Sequence, residues 1–136
     1  MAAAVHEFKS ALEELDRFRA VIDDFVSTDL GEIEKNRVIL ALDEAFVNVI
    51  THGYAQDQNK PIELKMDRKG DGFEFTLLDR APLFDPLKAV SPDLAGHAES
   101  GKNHGLGIHL YTTIMKTTHS ARPGGGNILT MFKAAT

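Results

Sequence analysis

The chain has 136 residues, which suits one domain with a substantial core rather than two. Its net charge of −5 and the lack of a basic block argue against nucleic-acid binding, which depends on clustered lysine and arginine. Cysteine is absent, which excludes disulfides, a thiolate nucleophile and cysteine-ligated zinc. There is no signal-peptide pattern and no run near the roughly 18 apolar residues that span a bilayer. We therefore expect a single cytoplasmic domain over residues 1–136 with no membrane association.

The first third of the chain predicts a short strand and two helices. Residues 5–8 favour the strand. Apolar residues recur at helical spacing over residues 10–26, and Ser10 precedes Glu13 by three residues, as in a capping box. A longer helix is predicted over residues 33–52, where the next residue is a glycine suited to end it.

The remaining chain predicts strands around an irregular segment. "PIELKMD" and "FEFTLLD" alternate apolar and polar residues, and the "KGDG" turn between them predicts an antiparallel pair. Periodicity disappears over residues 80–104, and a segment of this length is typical of a functional lid. A helix in "GLGIHLYTTIMK" and a hairpin through "PGGG" follow. This order predicts an α+β two-layer sandwich, in which one mixed, mostly antiparallel sheet is covered by helices on one face.

The second predicted helix carries polar residues in an unexpected place. In "DEAFVNVITH", Glu44, Asn48 and His52 are spaced i, i+4 and i+8, so they follow one side of an otherwise apolar helix. They are either a solvent-facing edge or the wall of a cavity; burying an acid and an amide without partners would cost a few kcal/mol, which favours a cavity or ligand. The Asn48 amide oxygen suits Mg²⁺, and Glu44 is placed to orient a water or hydroxyl. We interpret His52 as a structural group at the helix end.

Three weaker features follow in the chain. Asp79 ends a predicted strand, where it is either a turn-forming residue or an acceptor for an exocyclic amine. Gly105 and Gly107 open a helix, so backbone N–H groups there are suited to approach phosphates. The "PGGGN" stretch favours a hairpin turn, and Thr130 on the strand after it is a candidate to line a pocket. The six histidines show no metal-binding spacing.

The order of these features resembles the GHKL superfamily of ATPases and kinases, and in particular its anti-sigma-factor serine kinases. "ALDEAFVNVITHGY" is similar to the N-box of that group, and "DRAPLFDPL", "HGLGIHL" and "GGGNILTMFK" are similar to its later boxes. The resemblance covers roughly residues 5–134. It implies the Bergerat ATP-binding fold, with an ATP lid over about residues 80–104.

The resemblance also implies a site for ATP and Mg²⁺. Asn48 would coordinate Mg²⁺ on the phosphates, Glu44 would act as general base toward the acceptor hydroxyl, and Asp79 would bind the adenine amine. Ala81 replaces the usual glycine of the Asp-x-Gly box, so a methyl group stands where the backbone and a water would approach the adenine. The other cofactor-binding residues implied are Phe84, Gly105, Leu106, Gly107 and Thr130.

The function implied is an ATP-dependent protein serine/threonine kinase of the anti-sigma-factor type. Its substrate would be a STAS-type antagonist protein, and its second partner would be a sigma factor or similar regulator. The resemblance also implies a homodimer. One alternative is an ATP-gated binding module without phosphoryl transfer. A simple ATPase is a third reading, disfavoured because no second domain is present to be driven.

Overall fold

The structure, a computed structural model, describes residues 3–26, 29–89 and 111–134. Its strands are β1 (Ala4–Lys9), β2 (Pro61–Lys69), β3 (Gly72–Asp79), β4 (Lys116–Ala121) and β5 (Asn127–Ala134). Its helices are α1 (Leu15–Val26), α2 (Glu32–Asn48) and the short α3 (Pro86–Ala89). A 3₁₀ turn (Leu12–Glu14) precedes α1, a π-helical turn (Val49–Gly53) follows α2, and residues 111–114 are helical. Within these ranges, none of the helices has the length and apolar character that crossing a membrane requires.

The strands form one sheet in the order β1-β2-β3-β5-β4, and the described pairings are all antiparallel. Strand β5 lies between β3 and β4, so the last strand of the chain occupies an inner position. The register pairs Asp79 at the end of β3 with Asn127 at the start of β5. The predicted α+β architecture is confirmed, and the register brings the end of β3 beside the glycine-rich turn.

The core lies between one face of the sheet and helices α1 and α2. Phe8, Phe18 and Phe46 are buried, and their ring centroids lie 4.4–5.9 Å apart in tilted and edge-to-face contacts. Burying an aromatic side chain of this size contributes roughly 2–3 kcal/mol. The sheet supplies the opposite side of the core through Ile62, Leu64, Met66, Phe73, Phe75, Leu77 and Met131.

Ser10 does not form the predicted capping box. Its hydroxyl donates a hydrogen bond to the carbonyl oxygen of Asp57 and accepts one from the N–H of Lys60 at 3.1 Å. The N-cap residue of the 3₁₀ turn is Ala11, which has no side-chain cap hydrogen bond. The prediction is wrong because Ser10 is fully buried and joins the end of β1 to the loop before β2.

Helix α2 ends at Asn48, and the π-helical turn follows it directly. The sequence predicted a single helix that runs to residue 52. The Tyr54 N–H bonds the Val49 carbonyl oxygen at 2.8 Å, five residues back. This wider turn shifts the helical phase. His52 is therefore exposed, whereas Glu44 and Asn48 are half-buried, so the three residues do not share one environment.

Candidate functional site

A cavity lies between the C-terminal end of α2, the end of β3 and the β4–β5 hairpin. It brings together three predicted site residues, Asn48, Asp79 and Phe84, which are distant in sequence. Asn48 comes from the end of α2, Asp79 from the end of β3, and Phe84 from the loop after β3. The other polar residues at the cavity are Tyr111, His119 and Asn127.

Asn48 places an unsatisfied amide at this cavity. Within the described part of the chain, its Nδ2 atom is buried and has no hydrogen-bond partner. The Tyr111 hydroxyl lies beside the same amide, and burial raises the pKa of that phenol against the smaller opposing effect of Asn48, so Tyr111 stays neutral. An unpaired buried amide group costs about 1–3 kcal/mol, which a polar ligand in the cavity would offset.

Asp79 is a buried carboxyl group with defined hydrogen bonds. Its Oδ1 atom accepts from the Ala81 N–H and from Asn127 Nδ2, both at 2.9 Å. Burial raises the pKa of Asp79, while the hydrogen bonds from Asn127 and Ala81 oppose that rise because they favour the charged form. The carboxyl group is therefore oriented as an acceptor, as recognition of an amine requires.

The glycine-rich turn holds the backbone at Asp79. Gly126 has φ of +121°, and a Cβ there would lie 2.0 Å from the Asp79 carbonyl oxygen. The Arg80 guanidinium donates hydrogen bonds to the carbonyl oxygens of Pro123 and Gly125, both at 2.8 Å. Only a glycine permits this approach, so "PGGGN" also fixes the position of the Asp79 backbone.

Ala81 contributes to the site through its backbone. Its N–H is bonded to Asp79, and its side chain is buried against the π-helical turn. A Cβ on Gly53 would lie 3.0 Å from the Ala81 Cβ, so the methyl group occupies the space beside that glycine.

Not every predicted site residue reaches the cavity. Glu44 is half-buried one turn before Asn48 but does not line the cavity, and no described residue forms an ion pair with it. Thr130 alternates with the buried Leu129 and Met131 and so lies on the other face of the sheet, contrary to the expectation that it lines the pocket. The predictions for Gly105, Leu106 and Gly107, and for residues 90–104 of the lid, lie outside the described residues.

Asn127 and His119 were missed by the sequence predictions. Asn127 bonds Asp79 through Nδ2, and its Oδ1 accepts from the Phe84 N–H at 2.9 Å and from His119 Nε2 at 2.8 Å. His119 Nδ1 lies 3.8 Å from the Asp85 carboxylate. Alternation along β5 could have revealed Asn127. If Leu129 is buried, Asn127 lies on the same side of the strand, towards the cavity, and Thr130 lies on the other side.

The fold and this cavity define an ATP-binding domain of the GHKL kind. The chain matches the histidine kinase-like ATPase domain family over residues 8–133 and belongs to that family. The predicted recognition is thereby confirmed, and an ATPase domain of this family implies ATP binding.

Two relatives refine the comparison. The chain is 27% identical over 92 residues to the serine/threonine-protein kinase BtrW of Bordetella bronchiseptica, which covers 68% of this chain and 65% of that protein. Its fold is similar to the crystal structure of the RsbU and RsbW domains of Rv1364c from Mycobacterium tuberculosis, with a TM-score of 0.67 and 14% identity. That match covers 98% of this chain and 32% of the other. The chain is thus a histidine kinase-like ATPase domain that shares its fold with the RsbU–RsbW structure, and the region matched to BtrW spans 65% of that protein's length.

Proposed function

We propose that the protein is an ATP-dependent protein serine/threonine kinase of the anti-sigma-factor type, acting on a STAS-type antagonist protein. The observation that carries the proposal is one cavity with the unpaired Asn48 amide and the Asp79 carboxylate in its walls. Family membership supports ATP as the ligand, and the relative named as a serine/threonine-protein kinase supports transfer to a hydroxyl group.

The two polar walls suit different ends of a nucleotide. Asp79 accepts a hydrogen bond from the adenine amine, and Asn48 holds the Mg²⁺ that accompanies the phosphates. The amide oxygen of Asn48 is the atom that would hold the ion, while its unpaired Nδ2 is a donor suited to a phosphate oxygen. The described residues contain no group of three or more acidic or histidine side chains that would hold a metal alone. Asn48 would therefore share the ion with phosphates and water, as is common for magnesium. Bound Mg²⁺ supplies neutralisation of phosphate charge during transfer.

Glu44 is the proposed general base. As the partner's hydroxyl oxygen bonds to the γ-phosphorus, the Glu44 carboxylate takes the hydroxyl proton, and the bond from the γ-phosphorus to the β–γ bridging oxygen breaks to release ADP. Its place one helical turn before Asn48 supports this role, as does the lack of an ion pair with any described residue.

The partners in this proposal rest on the resemblance. They are the STAS-type antagonist, a sigma factor or similar regulator, and a second copy of the chain. An ATP-gated binding module without transfer is the second candidate. It is favoured by the position of Glu44 outside the cavity lining, since Asn48 and Asp79 alone would suffice for nucleotide binding.

Transfer of labelled phosphate to a STAS-type protein tests the proposal. We expect the unchanged chain to label the partner and Glu44→Gln to transfer at least about 100-fold more slowly, because the base is lost. Its ATP affinity should change less than about twofold, since no nucleotide contact is removed. Glu32→Gln is the matched control, because its side chain is 79% exposed at the start of α2, and it should behave as the unchanged chain.

The products separate the candidate functions. Label on the partner supports a kinase, and free phosphate alone supports a simple ATPase. ATP-dependent capture of the partner with neither product supports the binding module. Normal transfer by Glu44→Gln would contradict the general-base assignment.

A further inference from the structure

The His119 side chain is buried next to Asn127. It is only 6% exposed, and its Nε2 atom lies 2.8 Å from Asn127 Oδ1. An amide oxygen only accepts hydrogen bonds, so Nε2 carries the proton. The Phe84 N–H donates to the same oxygen at 2.9 Å. The two donors fix the orientation of the amide, because the reversed amide would place its NH₂ group against both.

This orientation determines what Asn127 presents to Asp79. With its oxygen held, the amide directs Nδ2 to Asp79 Oδ1 at 2.9 Å and to the Pro82 carbonyl oxygen at 3.1 Å. The Ala81 N–H donates to the same Oδ1 atom. A carboxyl oxygen that receives two N–H donors is held as an acceptor, and both hydrogen bonds favour the ionised form of Asp79 against the larger opposing effect of burial.

We propose that His119 is a positioning residue for recognition of the nucleotide base: it fixes the Asn127 amide, and Asn127 keeps Asp79 as an acceptor for an exocyclic amine. The inference rests on the proposed function, in which Asp79 contacts the adenine amine. Without the His119 donor the amide oxygen keeps only the Phe84 N–H, so the amide is held less firmly and its Nδ2 is less well fixed on Asp79. The expected effect is a loss of selectivity for the amine, beyond any general loss of binding.

Paired binding measurements with ATP and purine riboside triphosphate, which lacks the exocyclic amine, test this inference. The unchanged chain should bind ATP at least about tenfold more tightly than the analogue, since a site built for an amine rejects a ligand without one. His119→Leu should weaken ATP binding about tenfold and leave the analogue within about twofold, so the selectivity largely disappears. His119→Gln should retain it, because its longer amide can donate to Asn127. Ser120→Ala, the neighbouring exposed residue, is the control and should retain full selectivity.

A merely structural role would weaken both ligands equally. Equal weakening by His119→Leu, or unchanged selectivity, would overturn the inference. If that variant does not fold, His119→Asn replaces it, because the shorter amide does not reach Asn127, and the same two results would count against the inference. If the unchanged chain itself does not prefer ATP over the analogue, the proposed contact between Asp79 and the amine fails, and the role of His119 fails with it. The two failures are distinguishable: failure of the role of His119 alone appears only in the variants, whereas failure of the proposed contact between Asp79 and the amine already appears in the unchanged chain.

Discussion

Asp79 is positioned by two segments of the chain, the loop directly after β3 and the glycine-rich turn that leads into β5. The Ala81 N–H and the Asn127 amide bind its carboxyl group, and Gly126 lies directly against its carbonyl oxygen. The orientation of the carboxyl group therefore depends on the backbone of the turn before β5 as well as on side chains. A substitution of Gly126, the residue of that turn in contact with Asp79, should affect both stability and nucleotide binding.

Gly126→Ala should be strongly destabilising. The added Cβ would meet the Asp79 carbonyl oxygen at 2.0 Å, and φ of +121° is unfavourable for alanine. We expect a loss of about 2–4 kcal/mol in the free energy of unfolding, measured by urea denaturation, because both overlap and backbone strain act. ATP binding by the remaining folded protein should also weaken, since Asp79 must move.

Gly125→Ala separates those two causes. Gly125 has φ of +106°, but a Cβ there would meet nothing within 4 Å. This variant should lose only about 1 kcal/mol, the strain component, and should bind ATP normally. Equal losses in the two variants would show that the contact with Asp79 contributes nothing.

The site was only partly predictable from the residues. Helical spacing was enough to single out Glu44 and Asn48, because helix geometry is local. His119 and Asn127 escaped notice because their meeting depends on the register of β4, β5 and β3, which pairs residues distant in sequence. Thr130 was assigned to the cavity because its face was not compared with that of Leu129.

At the scale of elements, helices α1 and α2 are joined by an asymmetric ion pair. Arg19 Nε lies 2.6 Å from Asp43 Oδ2, whereas the buried Oδ1 of Asp43 has no hydrogen-bond partner among the described residues. Burial raises the pKa of Asp43, and Arg19 only partly opposes the rise. The folded state therefore binds the Asp43 proton more tightly than the unfolded state does. The stability that this group contributes is present below its unfolded pKa and is lost as pH rises through the folded pKa.

Arg19→Gln should destabilise the protein more at pH 7 than at pH 4. At pH 7 the variant leaves the Asp43 carboxylate buried without a counter-charge, and we expect a loss of about 1 kcal/mol, moderated by the partial exposure of Arg19. At pH 4 a larger fraction of Asp43 is protonated and the loss should shrink. Urea denaturation at the two pH values measures the difference.

Arg37→Gln provides the control for that experiment. Arg37 Nη1 lies 3.8 Å from Glu34 within α2, and its side chain is 61% exposed. Its effect should be small at both pH values because surface pairs contribute little. A loss for Arg19→Gln that does not change with pH would contradict the assignment to Asp43 ionisation.

Element prediction succeeded where the pattern was long and regular. The alternation in β2 and β3 and the apolar spacing in α1 and α2 identified these elements because a single buried face imposes the period. The π-helical turn and α3 were not predicted, since a wide turn and a helix of four residues leave no periodic signal. Ser10 was misread because its long-range hydrogen bonds replaced a local cap.

At the scale of the whole molecule, the cavity joins α2 to the sheet. Its lining comes from α2 and the π-helical turn, β3, the loop after β3 with the start of α3, the helical residues 111–114, and the β4–β5 hairpin. A ligand bound there would contact parts of the chain that separate on unfolding. Binding should therefore stabilise the entire fold by mass action, beyond any local ordering.

ATP with Mg²⁺ should raise the melting temperature of the unchanged chain. At 100 times the dissociation constant the gain is about 2.7 kcal/mol, which corresponds to roughly 10 °C for a domain of this size. Asn48→Ala should remove most of the part of this shift that depends on Mg²⁺, because the proposed metal ligand is lost. Melting curves with ATP, recorded with Mg²⁺ and with a chelator, measure that part directly.

Asn36→Ala is the matched control for this measurement, since Asn36 is exposed on the same helix and does not line the cavity. It should keep the full shift. If Asn48→Ala also keeps the full Mg²⁺-dependent shift, Asn48 is not the metal ligand.

The contact between Gly53 and Ala81 has a consequence for how related sequences can vary. A Cβ at residue 53 would lie 3.0 Å from the Cβ at residue 81, so the π-helical turn and the loop after β3 share room for a single methyl group. This chain places that methyl at residue 81. Homologues with glycine at the position of residue 81 should tolerate alanine at that of residue 53, whereas alanine at both should be rare. The two positions should therefore covary, with alanine at one accompanied by glycine at the other.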